Sequence, residues 1–172
     1  MKIGLFYGST TCYSEMTAEK MQQFLGEELV DIHNIKDCGL SLINDYDILI
    51  LGISTWDYGE LQEDWEALWD ELDNFDLANK IIALYGQGDQ EGYTDWFVDA
   101  MGMLHDKLLP LNPQFVGYWA NQGYSFNESK ALTADKSHFV GLALDDECQF
   151  DLSEARINEW LTQVMEEIAE LN

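Results

Sequence analysis

Basic residues are scarce: 8 Lys and Arg stand against 33 Asp and Glu in 172 residues, a formal net charge of -25. So few cations cannot form the stripe that a phosphate backbone requires, which excludes a nucleic-acid binder. An anionic membrane surface repels the chain for the same reason. Proline is nearly absent, with 2 residues, and no linker-like stretch interrupts the chain, so one domain over 1–172 is expected. The 3 cysteines (Cys12, Cys38, Cys148) show no C-x-x-C spacing, which argues against a disulfide framework and a zinc site. His33, His105 and His138 are dispersed, show no ligand spacing and are expected as ordinary surface or strand-end residues. No run approaches the roughly 18 apolar residues of a membrane span. The apolar stretch Ile3 to Tyr7 is too short for a signal peptide. A cytoplasmic location is expected.

What is present supports a real core: 47% hydrophobic and 13% aromatic residues. Short apolar runs at 2–7, 29–33, 47–53, 80–85, 114–118 and 139–144 alternate with amphipathic stretches of helical length. The run Asp47-Ile48-Leu49-Ile50-Leu51-Gly52-Ile53 is apolar on both faces, as a central parallel strand covered on both sides must be. Met16, Met21, Phe24 and Leu25 predict the buried stripe of a first helix, ended by Gly26. Thr94 is expected to cap a helix burying Phe97, Met101, Leu104 and Leu108, and Ser153 to cap a last helix whose apolar stripe is Ile157, Trp160, Leu161, Val164, Ile168 and Leu171. Trp65 and Trp69 are expected in the core. Residues 119–138 are polar and aperiodic, and read as an insertion dividing the last strand. Strand–helix alternation of this kind implies right-handed βαβ units around a parallel sheet.

Three loops carry the chemistry. After the first strand comes Ser9-Thr10-Thr11-Cys12-Tyr13-Ser14, with five hydroxyl-bearing residues of six at the start of a helix. Such a turn suits an anion held by free backbone N–H groups and the helix dipole, or it simply caps the helix. Neither G-x-x-x-x-G-K-[ST] nor G-x-G-x-x-G is present, which disfavours a nucleoside triphosphatase and a dinucleotide site. After the third and fourth strands come Thr55-Trp56-Asp57-Tyr58-Gly59-Glu60 and Gly88-Asp89-Gln90-Glu91-Gly92-Tyr93. Both lie at the carboxyl ends of parallel strands, where open α/β sheets bind ligands. Two aromatics there either clasp a flat ring or fold back on the sheet edge.

Together these loops resemble those of the flavodoxin family over essentially the whole chain. The insertion is similar to that of its long-chain members, and the detail to the proteobacterial type called flavodoxin 2 or flavodoxin B. The resemblance implies a flavodoxin-like, doubly wound five-stranded parallel sheet of order 2-1-3-4-5 with helices on both faces, an order general principles already attach to flavodoxin. It implies FMN bound non-covalently. By position, Ser9, Thr10, Thr11, Cys12, Tyr13 and Ser14 form the phosphate loop and Thr55 approaches it from the second loop. Trp56 and Tyr93 stack on the flavin faces. The Asp57–Tyr58 peptide and Gly59 sit at one ring edge, and Gly88 and Asp89 at the other. One departure stands out: the family's T-x-T-G-x-T has glycine where this chain has Cys12, and cysteine restricts φ. Cys12 is expected as a small, half-buried side chain.

The implied activity is that of a low-potential one-electron carrier rather than an enzyme. Twelve acidic residues and no basic one lie between Asp37 and Asn79, which favours docking onto basic-faced redox partners. By resemblance these are an NADPH-dependent flavodoxin reductase and acceptor enzymes, with the protein a monomer. The alternative is an FMN-dependent NAD(P)H:quinone reductase, for which no second nucleotide motif is seen. A phosphoacceptor receiver domain needs acids where Gly8-Ser9 and Ser54-Thr55 stand. A cofactor-free acidic interaction module would take up no FMN.

Overall fold

Apolar side chains along the central strands of a parallel sheet must be buried on both faces, and in Ile3–Tyr7, Ile48–Ile53 and Ile82–Tyr85 they are. The computed structural model describes residues 1–172. In chain order the elements are β1 (Ile3–Tyr7), α1 (Tyr13–Leu25), β2 (Val30–Asn34), α2 (Ile35–Cys38), β3 (Ile48–Trp56), β4 (Glu60–Leu61), α3 (Glu63–Leu68), β5 (Ile81–Gln87), α4 (Asp99–Leu108), β6 (Gln114–Val116), β7 (Trp119–Ala120), β8 (His138–Phe139), β9 (Leu142–Leu144) and α5 (Phe150–Leu171). The strand order is β2-β1-β3-β5-β6, all parallel.

The fifth strand is split. β6 pairs with the first half of β5 (Ile81↔Gln114) and β9 with the second half (Tyr85↔Leu142). Between them the insertion forms a small antiparallel pair, β7 with β8. Along β1, β3 and β5, Leu5, Ile50, Ala83 and Tyr85 face α1 and α5, packing on Met21, Ile157, Trp160 and Val164. Their neighbours Phe6, Leu49, Leu51, Ile82 and Leu84 face the other way, onto Trp65, Phe97, Met101 and Leu104. This is the period-two alternation of a strand, read out on two separate cores.

Three local expectations are corrected. The buried stripe of α1 is Ser14, Thr17, Ala18 and Met21, whereas Met16 and Phe24 are exposed. Small side chains let α1 approach the sheet closely, so burial follows fit more than hydrophobicity. Thr94 does not cap α4, which begins five residues later; its hydroxyl accepts the backbone N–H of Asn127 at 2.9 Å and holds the insertion. Ser153 lies inside the first turn of α5, and its hydroxyl bonds the buried carboxylate of Asp146.

Candidate functional site

The carboxyl ends of β1, β3 and β5 present the three loops at one edge. The first runs into α1 through Cys12, which stands at the N-cap with φ 69°, the left-handed region that suits glycine. Its side chain is exposed rather than half-buried, and no side chain caps the helix there. The N–H groups of a first helical turn have no intrahelical acceptor, and here the N-cap residue supplies none. Ser14 sharpens the point. It is buried, and its hydroxyl is the one buried side-chain polar atom in the protein without a hydrogen-bond partner. The hydroxyl loop therefore does not serve to cap α1.

Beneath the loop, Tyr85 crosses Gly52: a Cβ on Gly52 would sit 2.1 Å from the ring. That space lets the Tyr85 hydroxyl donate to the Ser14 carbonyl at 3.0 Å. Gln62 is fully buried and ties the first loop to the second. Its oxygen accepts the N–H groups of Asp64 and Trp65 at 3.1 and 3.3 Å, and its nitrogen donates to Thr10 Oγ1 at 3.2 Å.

The second loop is a tight hairpin, because β4 folds back on the end of β3 (Trp56↔Glu60). The turn needs positive φ at Asp57 (44°) and Gly59 (84°). Gly59 has no room for a side chain: a Cβ would meet Asp99 Oδ2 at 2.9 Å and Trp96 at 3.0 Å. In the third loop the Asp89 carboxylate organises the backbone, with Oδ1 accepting Glu91 N and Gly92 N at 3.1 and 2.8 Å. The Cys148 thiol donates to the same oxygen at 3.3 Å. Burial first, then that hydrogen bond, pushes the thiol pKa up to about 12.

Thr11, Tyr13, Thr55, Trp56, Asp57, Gly88, Asp89 and Tyr93 line one cleft of about 160 Å³. Ser9, Thr10, Cys12, Ser14, Tyr58 and Gly59 flank it without lining it. Thr10 is exposed and turned toward α3, donating to Glu63 at 3.4 Å. Tyr58 is exposed at the hairpin tip, its ring edge-on to Tyr93 (6.3 Å) and to Trp96 (5.1 Å). Sequence reasoning missed Ser54, Gln87 and Glu147, which complete the wall. The Glu147 carboxylate beside the Tyr13 hydroxyl raises its pKa. Its only sequence signal was its place just after the last strand.

The cleft is smaller than the ~300 Å³ at which ligand pockets begin, so a three-ring ligand requires Trp56 and Tyr93 to part. Both are incompletely buried and carried on loops. The open space, the uncapped helix start and the orphan Ser14 hydroxyl together fit a flat ligand with an anionic tail.

Fold and site thus define a doubly wound α/β protein with a cleft at the carboxyl ends of its central strands. A sequence model of the Flavodoxin family matches residues 5–160. Flavodoxin 2 of Escherichia coli is 58% identical over 170 residues, covering 99% of this chain and 98% of that protein. The flavodoxin of Synechococcus elongatus is 48% identical over 167 residues, covering 96% and 97%. A crystal structure of Fusobacterium nucleatum flavodoxin bound to flavin mononucleotide matches with TM-score 0.88 at 28% identity, covering 96% and 98%. The chain belongs to the flavodoxin family, in its long-chain, flavodoxin 2 type. It is accordingly an FMN-dependent electron carrier and not an enzyme.

Proposed function

We propose that FMN occupies the cleft between the three loops, and that the protein works there as a low-potential one-electron carrier docking onto basic-faced partners. The orphaned Ser14 hydroxyl beside an uncapped helix start carries this reading. Ser9 to Ser14 hold the phosphate, chiefly through backbone N–H groups and hydroxyls, since no Lys or Arg lines the cleft. Thr55 supports that end from the second loop. Trp56 and Tyr93 flank the ring system and exclude water from it. Asp57, Tyr58 and Gly59 present hairpin backbone to one ring edge, and Gly88 and Asp89 to the other. FMN supplies the redox chemistry; the protein sets the field in which it works.

That field is negative. Asp57, Asp89 and Glu147 line the cleft, and Glu60, Glu63, Glu66, Asp70 and Glu71 lie exposed along the hairpin and the segment after it. Adding an electron beside these carboxylates is disfavoured, which gives a low potential. The same belt draws in and orients a basic partner. An NADPH-dependent flavodoxin reductase is the donor this reading names, with acceptor enzymes on the other side. The protein acts as a cytoplasmic monomer and one domain throughout.

The test is an equilibrium titration of the apoprotein with FMN, followed by visible absorption and quenching of flavin fluorescence. One FMN per chain is expected, with binding weakened at least tenfold in Trp56→Ala and Tyr93→Ala. A colourless protein that leaves added FMN fluorescence unchanged refutes the site.

A further inference from the structure

The first residue of α4, Asp99, is a carboxylate only 1% exposed, and the site just described makes no use of it. One of its oxygens accepts the backbone N–H of Lys130, in the insertion, at 2.7 Å. The other abuts the hairpin turn, 2.9 Å from where a Cβ on Gly59 would stand. The next residue, Ala100, donates its N–H to Thr55 Oγ1 at 2.9 Å, on the incoming strand of the same hairpin. The start of α4 is therefore bonded to the strand entering the hairpin at Thr55 and packs directly on the turn at Gly59, and one buried carboxylate also pins the insertion.

No cation pairs with Asp99: the lysine–carboxylate ion pairs in the protein are Lys2–Asp31 and Lys107–Asp73. Burial raises its pKa, with the Lys130 side of the insertion opposing and Glu128 reinforcing. An asparagine would accept the same Lys130 N–H without the cost of burying a charge. The charge itself thus calls for an account. The exposed carboxylates of the belt are screened by water and salt, whereas a buried one acts through a lower dielectric, several-fold more strongly at equal distance.

We propose that Asp99 is a positioning residue for electron transfer: it locks the Asp57–Gly59 turn to the insertion, and its buried charge biases FMN held against that turn toward the oxidised form. This rests on the reading that FMN lies against the hairpin.

Two substitutions separate lock from charge. Asp99→Asn keeps an acceptor for the Lys130 N–H and removes the charge; Asp99→Leu removes both. Amide hydrogen exchange on the apoproteins should show Lys130 protection kept in Asp99→Asn and lost in Asp99→Leu. In the FMN-loaded proteins, Asp99→Asn should raise the ratio of reduced to oxidised FMN affinity roughly three- to tenfold, up to about +59 mV for a one-electron step. Lys130→Gln, at an exposed position safe for folding, should move that ratio the opposite way. Lys2→Gln, at the far end of the sheet, should change it less than twofold. A ratio within twofold of wild type in Asp99→Asn overturns the proposal, as do Lys130→Gln and Asp99→Asn shifting it in the same direction. Wild-type protein that takes up no FMN refutes the site reading instead, while amide exchange still reports the lock.

Discussion

Ser14→Ala should make the apoprotein more stable and FMN binding weaker at once. Ser14 is the second residue of α1, 1% exposed, with a hydroxyl that finds no partner. Leaving a buried polar group unsatisfied costs about 1–3 kcal/mol, and alanine is also the better helix former by a few tenths of a kcal/mol. The bond from the Tyr85 hydroxyl to the Ser14 backbone carbonyl survives, because it involves no side-chain atom of residue 14. Discounting the penalty to its lower end leaves a gain of ~1 kcal/mol, which for a chain of this size raises Tm by roughly 2–4 °C. With phosphate in place the hydroxyl has its acceptor, and a hydrogen bond to a charged group contributes about 1.5–3 kcal/mol. Its loss should weaken FMN binding by about 10- to 150-fold. Thermal unfolding of apo Ser14→Ala and fluorescence titration with FMN measure the two halves separately. An apoprotein that melts lower than wild type, or FMN affinity unchanged within twofold, would refute the reasoning.

Three further outcomes are expected. Cys12→Gly should stabilise the apoprotein: φ 69° costs a non-glycine residue about 1–2 kcal/mol, only partly offset by the ~0.5–1 kcal/mol entropy penalty of glycine, and a lower Tm would contradict this. Burial holds the His105 pKa below 6.5, against the opposing pull of Asp106. The unfolded chain therefore takes up the proton first, and His105 costs the fold stability as pH falls below about 6.5. The denaturant stability of His105→Gln relative to wild type should accordingly improve between pH 7 and 5, and a constant difference would be evidence against this role for burial. Electron-transfer rates with a basic partner at sub-saturating concentration should fall as salt rises from low ionic strength toward 0.15 M, where screening sets in within about 8 Å; salt-independent rates would leave the acidic belt a matter of solubility.

The parts of the fold legible in the sequence were those governed by one strong pattern. The run from Ile48 to Ile53 had to be a central strand because every residue in it is apolar, and each one is buried. The long stripe of α5 is buried for the same reason from Ile157 to Ile168, but Leu171, which continues it, is 48% exposed because the last turn runs past the sheet it packs on. Where packing is decided by size, the pattern misled. Ser14, Thr17 and Ala18 lie against the sheet with Met21 while Phe24, a stronger hydrophobe, stays 47% exposed: small groups fill most of the face on which α1 meets the sheet. Hydroxyls were also assigned to the commonest local role. Thr94 and Ser153 looked like caps, yet their partners, Asn127 and Asp146, come from other segments, and no local spacing encodes such a pairing. The buried amides of Gln62 and Gln87 were invisible for the same reason. Each joins loops distant in sequence, Gln62 to Thr10 and Gln87 to Asp146.

The charge imbalance and the site belong to one piece of physics. A chain of net charge -25 that holds a phosphate needs either a local cation or a set of dipoles that the surrounding field cannot cancel. No lysine or arginine lines the cleft, and Arg156, which shares the Gln149 side-chain oxygen with Gln90 of the third loop, is spent on the insertion. Its guanidinium donates to Gln149 at 2.7 Å and to the Gly123 carbonyl at 3.1 Å, and lies 4.2 Å over the Tyr124 ring. Dipoles remain: N–H groups at the start of α1 and the hydroxyls around them, fixed in direction by the backbone and needing no counter-charge. Keeping cations out has a consequence at the ring end of the same cleft. A lysine there would hold phosphate and favour added electrons alike; backbone dipoles aimed at the phosphate do the first without the second. On the proposed reading, separating the two tasks lets an anion be bound by dipoles while carboxylates surround the redox group and form the face offered to a basic partner.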